Sequence, residues 1–144
     1  MELSCKTEYA LLALMELASH YSRGEPLQIR QIATQQGIPD RYLEQILAAL
    51  RRGGLVLSQR GAKGGYILAR EPWKINLLDA IACLESLNSR NKLETLCQTV
   101  EGEVLTQVWQ EIRDRTLTVL QHYTLQDLCE RRDARAQAAI MYYI

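Results

Sequence analysis

Apolar residues recur at three- and four-residue spacing over residues 7–21, at Ala10, Leu11, Leu14, Leu17, Ala18 and Tyr21. That stripe predicts a helix burying one face, with Ser4 or Thr7 as its N-cap. Arg23-Gly24-Glu25-Pro26 ends it. A short second helix is predicted over residues 29–36 and stopped by Gly37. A third runs from the Pro39-Asp40 start signal to about Arg52, with Tyr42, Leu43, Ile46, Leu47 and Leu50 apolar. The period then changes. Residues 55–58 and 66–69 read as two strands joined by the basic, glycine-rich loop Gln59-Arg60-Gly61-Ala62-Lys63-Gly64-Gly65. Asn76-Leu77-Leu78-Asp79 resembles a capping box and opens a fourth helix to about Leu87.

Residues 88–99 are polar and irregular. A long helix follows over residues 101–123, striped by Val104, Leu105, Val108, Ile112, Thr116, Val119 and Leu120. A chain this small has little to lay against so long a stripe. We therefore read it as a dimerisation helix, with packing inside one chain as the alternative. Thr124-Leu125-Gln126-Asp127 restarts a short helix, and the apolar residues 138–144 are predicted to pack on something.

Composition changes little until it is divided. The chain is 47% hydrophobic and 24% charged, the balance of an ordinary soluble globule. No apolar run is long enough for a membrane span and no signal peptide is evident, so a cytoplasmic protein without membrane contact is expected. The net charge is zero. Residues 1–75, however, hold ten Lys and Arg against seven Asp and Glu, and the remainder holds seven against ten. Within 41–74, Arg41, Arg51, Arg52, Arg60, Lys63, Arg70 and Lys74 face only Glu44 and Glu71. Phosphate binding depends on the charges at the interface, so this local excess fits nucleic acid, with a solvated basic face as the alternative.

Three short helices followed by a two-stranded hairpin is the order of a winged helix-turn-helix. A recognition helix needs a polar outer face over an apolar inner one. Arg41, Glu44, Gln45 and Ala48 oppose Leu43, Ile46, Leu47 and Leu50 in that way. A wing needs a close-approaching tip with a cation, which Arg60, Gly61 and Lys63 supply. A phosphate-cradling enzyme loop would set its glycines between a strand and a helix; these lie between two strands. No Ser/His/Asp or Cys/His arrangement and no metal-spaced histidine pair argues for an enzyme. A protein–protein adaptor is the other alternative, and the basic wing argues against it.

Leu3-Ser4-x-Lys6-x-Glu8-Tyr9-Ala10, Tyr42-Leu43-Glu44-Gln45-Ile46-Leu47 and Gly54-Leu55-Val56-x-Ser58-x-Arg60-Gly61-x-x-Gly64-Gly65-Tyr66-x-Leu68 together resemble the family of IscR, NsrR and CymR regulators, as does Leu77-x-Asp79-Ala80-Ile81. The resemblance spans nearly the whole chain. It implies a homodimer on palindromic double-stranded DNA. Tyr42, Glu44 and Gln45 would read the major groove, with Arg60 and Gly61 of the wing reaching the minor groove. Glu44 would act on selectivity, by accepting from a cytosine amino group.

Iron–sulfur members of that family carry three cysteines in the loop before the long helix; this chain has only Cys97 there. One thiolate cannot hold a cluster. The resemblance offers two routes. A 2Fe-2S cluster would be completed across the dimer by Cys5 or by Glu8, the position at which a redox-sensing relative supplies a carboxylate. Alternatively Cys97 is a cluster-free redox thiol, or control comes from a partner protein. His20 and His122 are ligands only in principle; Cys83 reads as a small core residue and Cys129 as structural. The expected architecture is mainly α with a small β wing. A winged helix-turn-helix domain spans 1–75, a connecting helix and sensor loop 76–100, and a dimerisation helix with a C-terminal tail 101–144.

Overall fold

The computed structural model describes residues 4–85 and 99–143. Ser4 caps α1 (Cys5–Ser19), its hydroxyl accepting from the Thr7 N–H at 3.2 Å. Because Ser4 takes this role, the helix starts before the predicted residue 7, and Thr7 turns inward. Tyr21, predicted as the last helical residue, instead opens a 3-10 turn, Tyr21–Arg23. The second and third helices, α2 (Ile29–Gln36) and α3 (Asp40–Arg52), fall on their predicted bounds. α1 to α3 meet on Leu14, Ile32, Leu43, Ile46 and Leu47, none of which is exposed. Each such side chain withdrawn from water contributes about 1.5–3 kcal/mol before entropy is charged.

β1 (Val56–Gln59) and β2 (Gly65–Leu68) pair antiparallel with Val56 opposite Leu68 and Gln59 opposite Gly65, one residue away from the predicted bounds. Leu27 extends this sheet by a rung. Its N–H donates to the Tyr66 carbonyl at 3.0 Å, and the Tyr66 N–H returns a bond of 2.8 Å. The base of the wing is thereby fastened to the segment that enters α2. Gly65 makes this approach possible, since a Cβ there would overlap the Leu27 carbonyl.

After a 3-10 turn at Pro72–Lys74 comes α4 (Leu77–Leu84). Asn76 and Asp79 bond reciprocally, Oδ1 accepting from the Asp79 N–H at 2.9 Å and Oδ2 of Asp79 from the Asn76 N–H at 3.1 Å. The predicted helix reached Leu87, but Glu85 is already extended, with φ −107° and ψ 130°. Its carboxylate accepts from the buried Thr7 hydroxyl at 3.1 Å, tying the end of α4 to the first turn of α1.

α5 (Val100–His122) starts at a Thr99 cap and buries none of its residues. α6 (Leu125–Tyr143) corrects the prediction of a short helix, for it runs 19 residues. From Glu130 to Ala139 there is no glycine or proline, and Ala, Arg, Glu and Gln dominate, so nothing in the sequence stops it. Thr124 and Asp127 form its own reciprocal cap. Beside it, Leu77 N–H donates to the Tyr123 carbonyl at 3.0 Å and Leu125 N–H to the Ile75 carbonyl at 2.9 Å, which joins the two caps edge to edge. Leu125 and Cys129 are then buried in the same core as α1. Within this chain Ile140, Met141 and Tyr142 of the apolar end are exposed. Among the described residues no helix is long and apolar enough to cross a membrane.

Candidate nucleic-acid interface

α3 separates its two faces cleanly. Leu43, Ile46, Leu47 and Leu50 are fully buried, while Arg41, Tyr42, Glu44 and Gln45 are exposed together on the outer side. The separation follows from periodicity: positions 43, 46, 47 and 50 repeat on one side of a 3.6-residue turn and leave 41, 44, 45 and 48 on the other. Tyr42 was grouped with the apolar positions, yet it is 56% exposed. Its ring lies 6.1 Å from that of Tyr9 on α1, tilted by 53°.

The wing tip carries Arg60, Gly61 and Lys63, all exposed. Gly64 N–H donates to the Gly61 carbonyl at 2.9 Å, and a Cβ on Gly64 would run into the Gln59 carbonyl. Glycine is needed there for close approach, and the turn then presents its two cations outward.

The basic stretch sorts itself by partners. Arg70 lies 3.8 Å from Asp79 and Lys74 3.6 Å from Glu71. Arg51 donates to the Ser58 hydroxyl at 3.1 Å, bracing α3 against β1. Among the described residues Arg41, Arg60 and Lys63 have no ion-pair partner. Sequence reasoning missed Arg30. It stands in the first turn of α2 and, with Gln28 and Ile29, walls an open groove whose other side is Gln59, Gly61 and Gly64. Its exposed place in the helix before the recognition helix was the signal available.

The sensor residues divide between described and undescribed segments. Cys97 lies outside the described residues. Cys5 and Glu8 are exposed on the first turn of α1. Among the described residues no three His, Cys, Asp or Glu side chains come together as a metal site. A two-iron cluster takes four protein ligands, and the pair Cys5 and Glu8 falls short of that set. His20 stands 3.6 Å from Glu16, and the His122 ring sits edge-on to that of Tyr123. Cys83 donates to the Asp79 carbonyl at 3.2 Å and packs against Gly53, where α3 ends. Burial, and then the Asp79 charge, push its thiol pKa up against a smaller opposing effect of Arg70. Burial likewise raises that of Cys129.

Comparison with known proteins agrees with this geometry. The Rrf2 family, described as iron-dependent transcriptional regulators, matches residues 3–131. The transcriptional regulator CymR of Bacillus subtilis is 39% identical over 144 residues, the whole of both chains. The solved structure of T. potens IscR superposes with a TM-score of 0.78 at 37% identity, covering 92% of this chain and 88% of its own. That of CymR, the global cysteine regulator of B. subtilis, gives 0.71 at 33% identity over 91% of this chain and 98% of its own. The fold is the winged helix of these regulators, which are not enzymes. A family match over most of the chain and a full-length relative at this identity mean that the chain belongs to the Rrf2 family of DNA-binding transcriptional regulators.

Proposed function

We propose that the chain is a cytoplasmic homodimer that binds palindromic duplex DNA through α3 and the wing, and that its grip answers to iron–sulfur or thiol redox state. The observation that carries the DNA reading is the exposure of three cations on two elements, Arg41 on the outer face of α3 and Arg60 and Lys63 at the wing tip. None has an ion-pair partner among the described residues. Tyr42, Glu44 and Gln45 read base edges, and Arg60 with Gly61 enters the minor groove. Lys63 and Arg41 hold phosphates, which supply affinity without sequence information.

The dimer reading rests on α5. Val104, Leu105, Val108, Trp109, Ile112 and Val119 are exposed along it. A contiguous apolar stripe of this length in water calls for a covering surface, and a second copy of α5 offers the matching one.

For the signal, Cys97 is the centre, with Cys5 or Glu8 of the opposite subunit beside it. The description of the family as iron-dependent supports a 2Fe-2S cluster. The single cysteine, Cys97, between residues 88 and 100 and the full-length likeness to a cysteine regulator favour the cluster-free thiol. Visible absorption of anaerobically purified protein separates the two: a red-brown band that Cys97→Ala abolishes means a cluster, and a colourless protein means thiol or partner control.

DNA readout and positioning should separate in titrations at several salt concentrations against a duplex selected from random sequence and a scrambled control. Arg60→Ala should weaken both and flatten the salt dependence. Gln45→Ala should cost about 1–3 kcal/mol on the selected duplex and relax its preference. Equal losses by both variants on both duplexes would refute this division.

A further inference from the structure

Tyr42 poses a problem for a base reader. It stands in the first turn of α3 with over half its surface in solvent. An exposed aromatic side chain samples several χ1 wells, and fixing one on binding costs entropy. Tyr9 answers it. Tyr9 is half-buried on α1 and packed against the hydrophobic core, one residue before the fully buried Ala10. Its ring meets that of Tyr42 at 6.1 Å and 53°, the separation and tilt of an aromatic pair.

We infer that Tyr9 is a positioning residue for DNA recognition: its anchored ring holds the Tyr42 ring in one orientation before the groove is entered. This deepens the reading of Tyr42 as a base reader and rests on it. Tyr9 carries no formal charge, and what its hydroxyl could donate to a phosphate is separate from what its ring does. The ring contact with Tyr42 acts on the sequence-specific part of the affinity, and Tyr9→Phe distinguishes the two.

The pair also explains a feature of the packing. α1 and α3 touch chiefly through buried aliphatic side chains, which fix the helix but not the side chains on its outer face. A ring reaching from α1 around the edge of α3 extends the rigidity of the core to one outward side chain.

The test is a double-mutant cycle of Tyr9→Leu and Tyr42→Leu. Binding is measured at two salt concentrations to a duplex selected from random sequence by the wild-type protein, and to a scrambled duplex. Tyr9→Leu should lower affinity for the selected duplex about three- to tenfold and leave the scrambled duplex and the salt slope unchanged. Tyr42→Leu should then cost less in the Tyr9→Leu background than in the wild type, and Tyr9→Phe, which keeps the ring, should behave as wild type. Where the leucine variant is unstable, Tyr9→Met fills the volume without a ring face and serves in its place. Equal losses on both duplexes, or effects that simply multiply, overturn the role of Tyr9 while leaving Tyr42 as a reader. If Tyr42→Leu alone leaves the preference intact, the reader role itself falls and this inference falls with it.

Discussion

Cysteine chemistry in this chain is decided residue by residue. Cys83 and Cys129 share the protection of the core. Each thiol is pushed up by burial, and each Sγ lies near a backbone carbonyl, Asp79 at 3.2 Å and Met15 at 3.9 Å. The thiolate is the reactive form, so both should be slow. With iodoacetamide at neutral pH and peptide mapping, each should label more slowly than free cysteine. A rate for Cys83 equal to free cysteine would contradict its packing against Gly53. The sequence showed Cys83 as a core residue because Ala80, Ile81, Ala82 and Leu84 surround it. It did not show which surface it would meet. That depends on the angle between α3 and α4, which no local pattern carries.

At the scale of elements, the contact of Cys83 with Gly53 sets how closely α4 approaches the end of α3. Gly53 has an ordinary helical backbone, φ −78°, so alanine is not barred by strain. Its Cβ would overlap the Cys83 sulfur, and something must move. Gly53→Ala should cost about 1–3 kcal/mol by urea denaturation, as overpacking does. Cys83→Ala in the same chain should return most of that loss. Two penalties that merely add would show that no close contact exists.

Elements were otherwise legible where period and punctuation agree. α2 ended at Gly37 and α3 at Arg52, as the stop signal of the one and the apolar spacing of the other foretold. α6 was misjudged because only its cap and first turn are amphipathic. Beyond Cys129 it is exposed on every side, and helix propensity alone sustains it. The Tyr9–Tyr42 pair, and the groove that Arg30 walls against the wing, were illegible for the same reason as the Cys83 contact: both are meetings between elements.

Over the whole molecule, charge and hydrophobicity are laid out in separate places. The basic excess lies in residues 1–75 and the acidic excess in residues 76–144, so a net charge of zero hides a polar distribution. The exposed apolar stripe lies on α5, which buries nothing within its own chain. On the proposed reading, one part would supply the DNA surface and another the surface for a second copy, and palindromic DNA is the target that such symmetry would match. Sedimentation of the full chain with a fluorescently labelled palindromic duplex, selected from random sequence, tests this most directly because it reports binding and stoichiometry together. Two chains should travel with each duplex, and a scrambled duplex should not compete at equal concentration. One chain per duplex, or equal competition by the scrambled sequence, would contradict it.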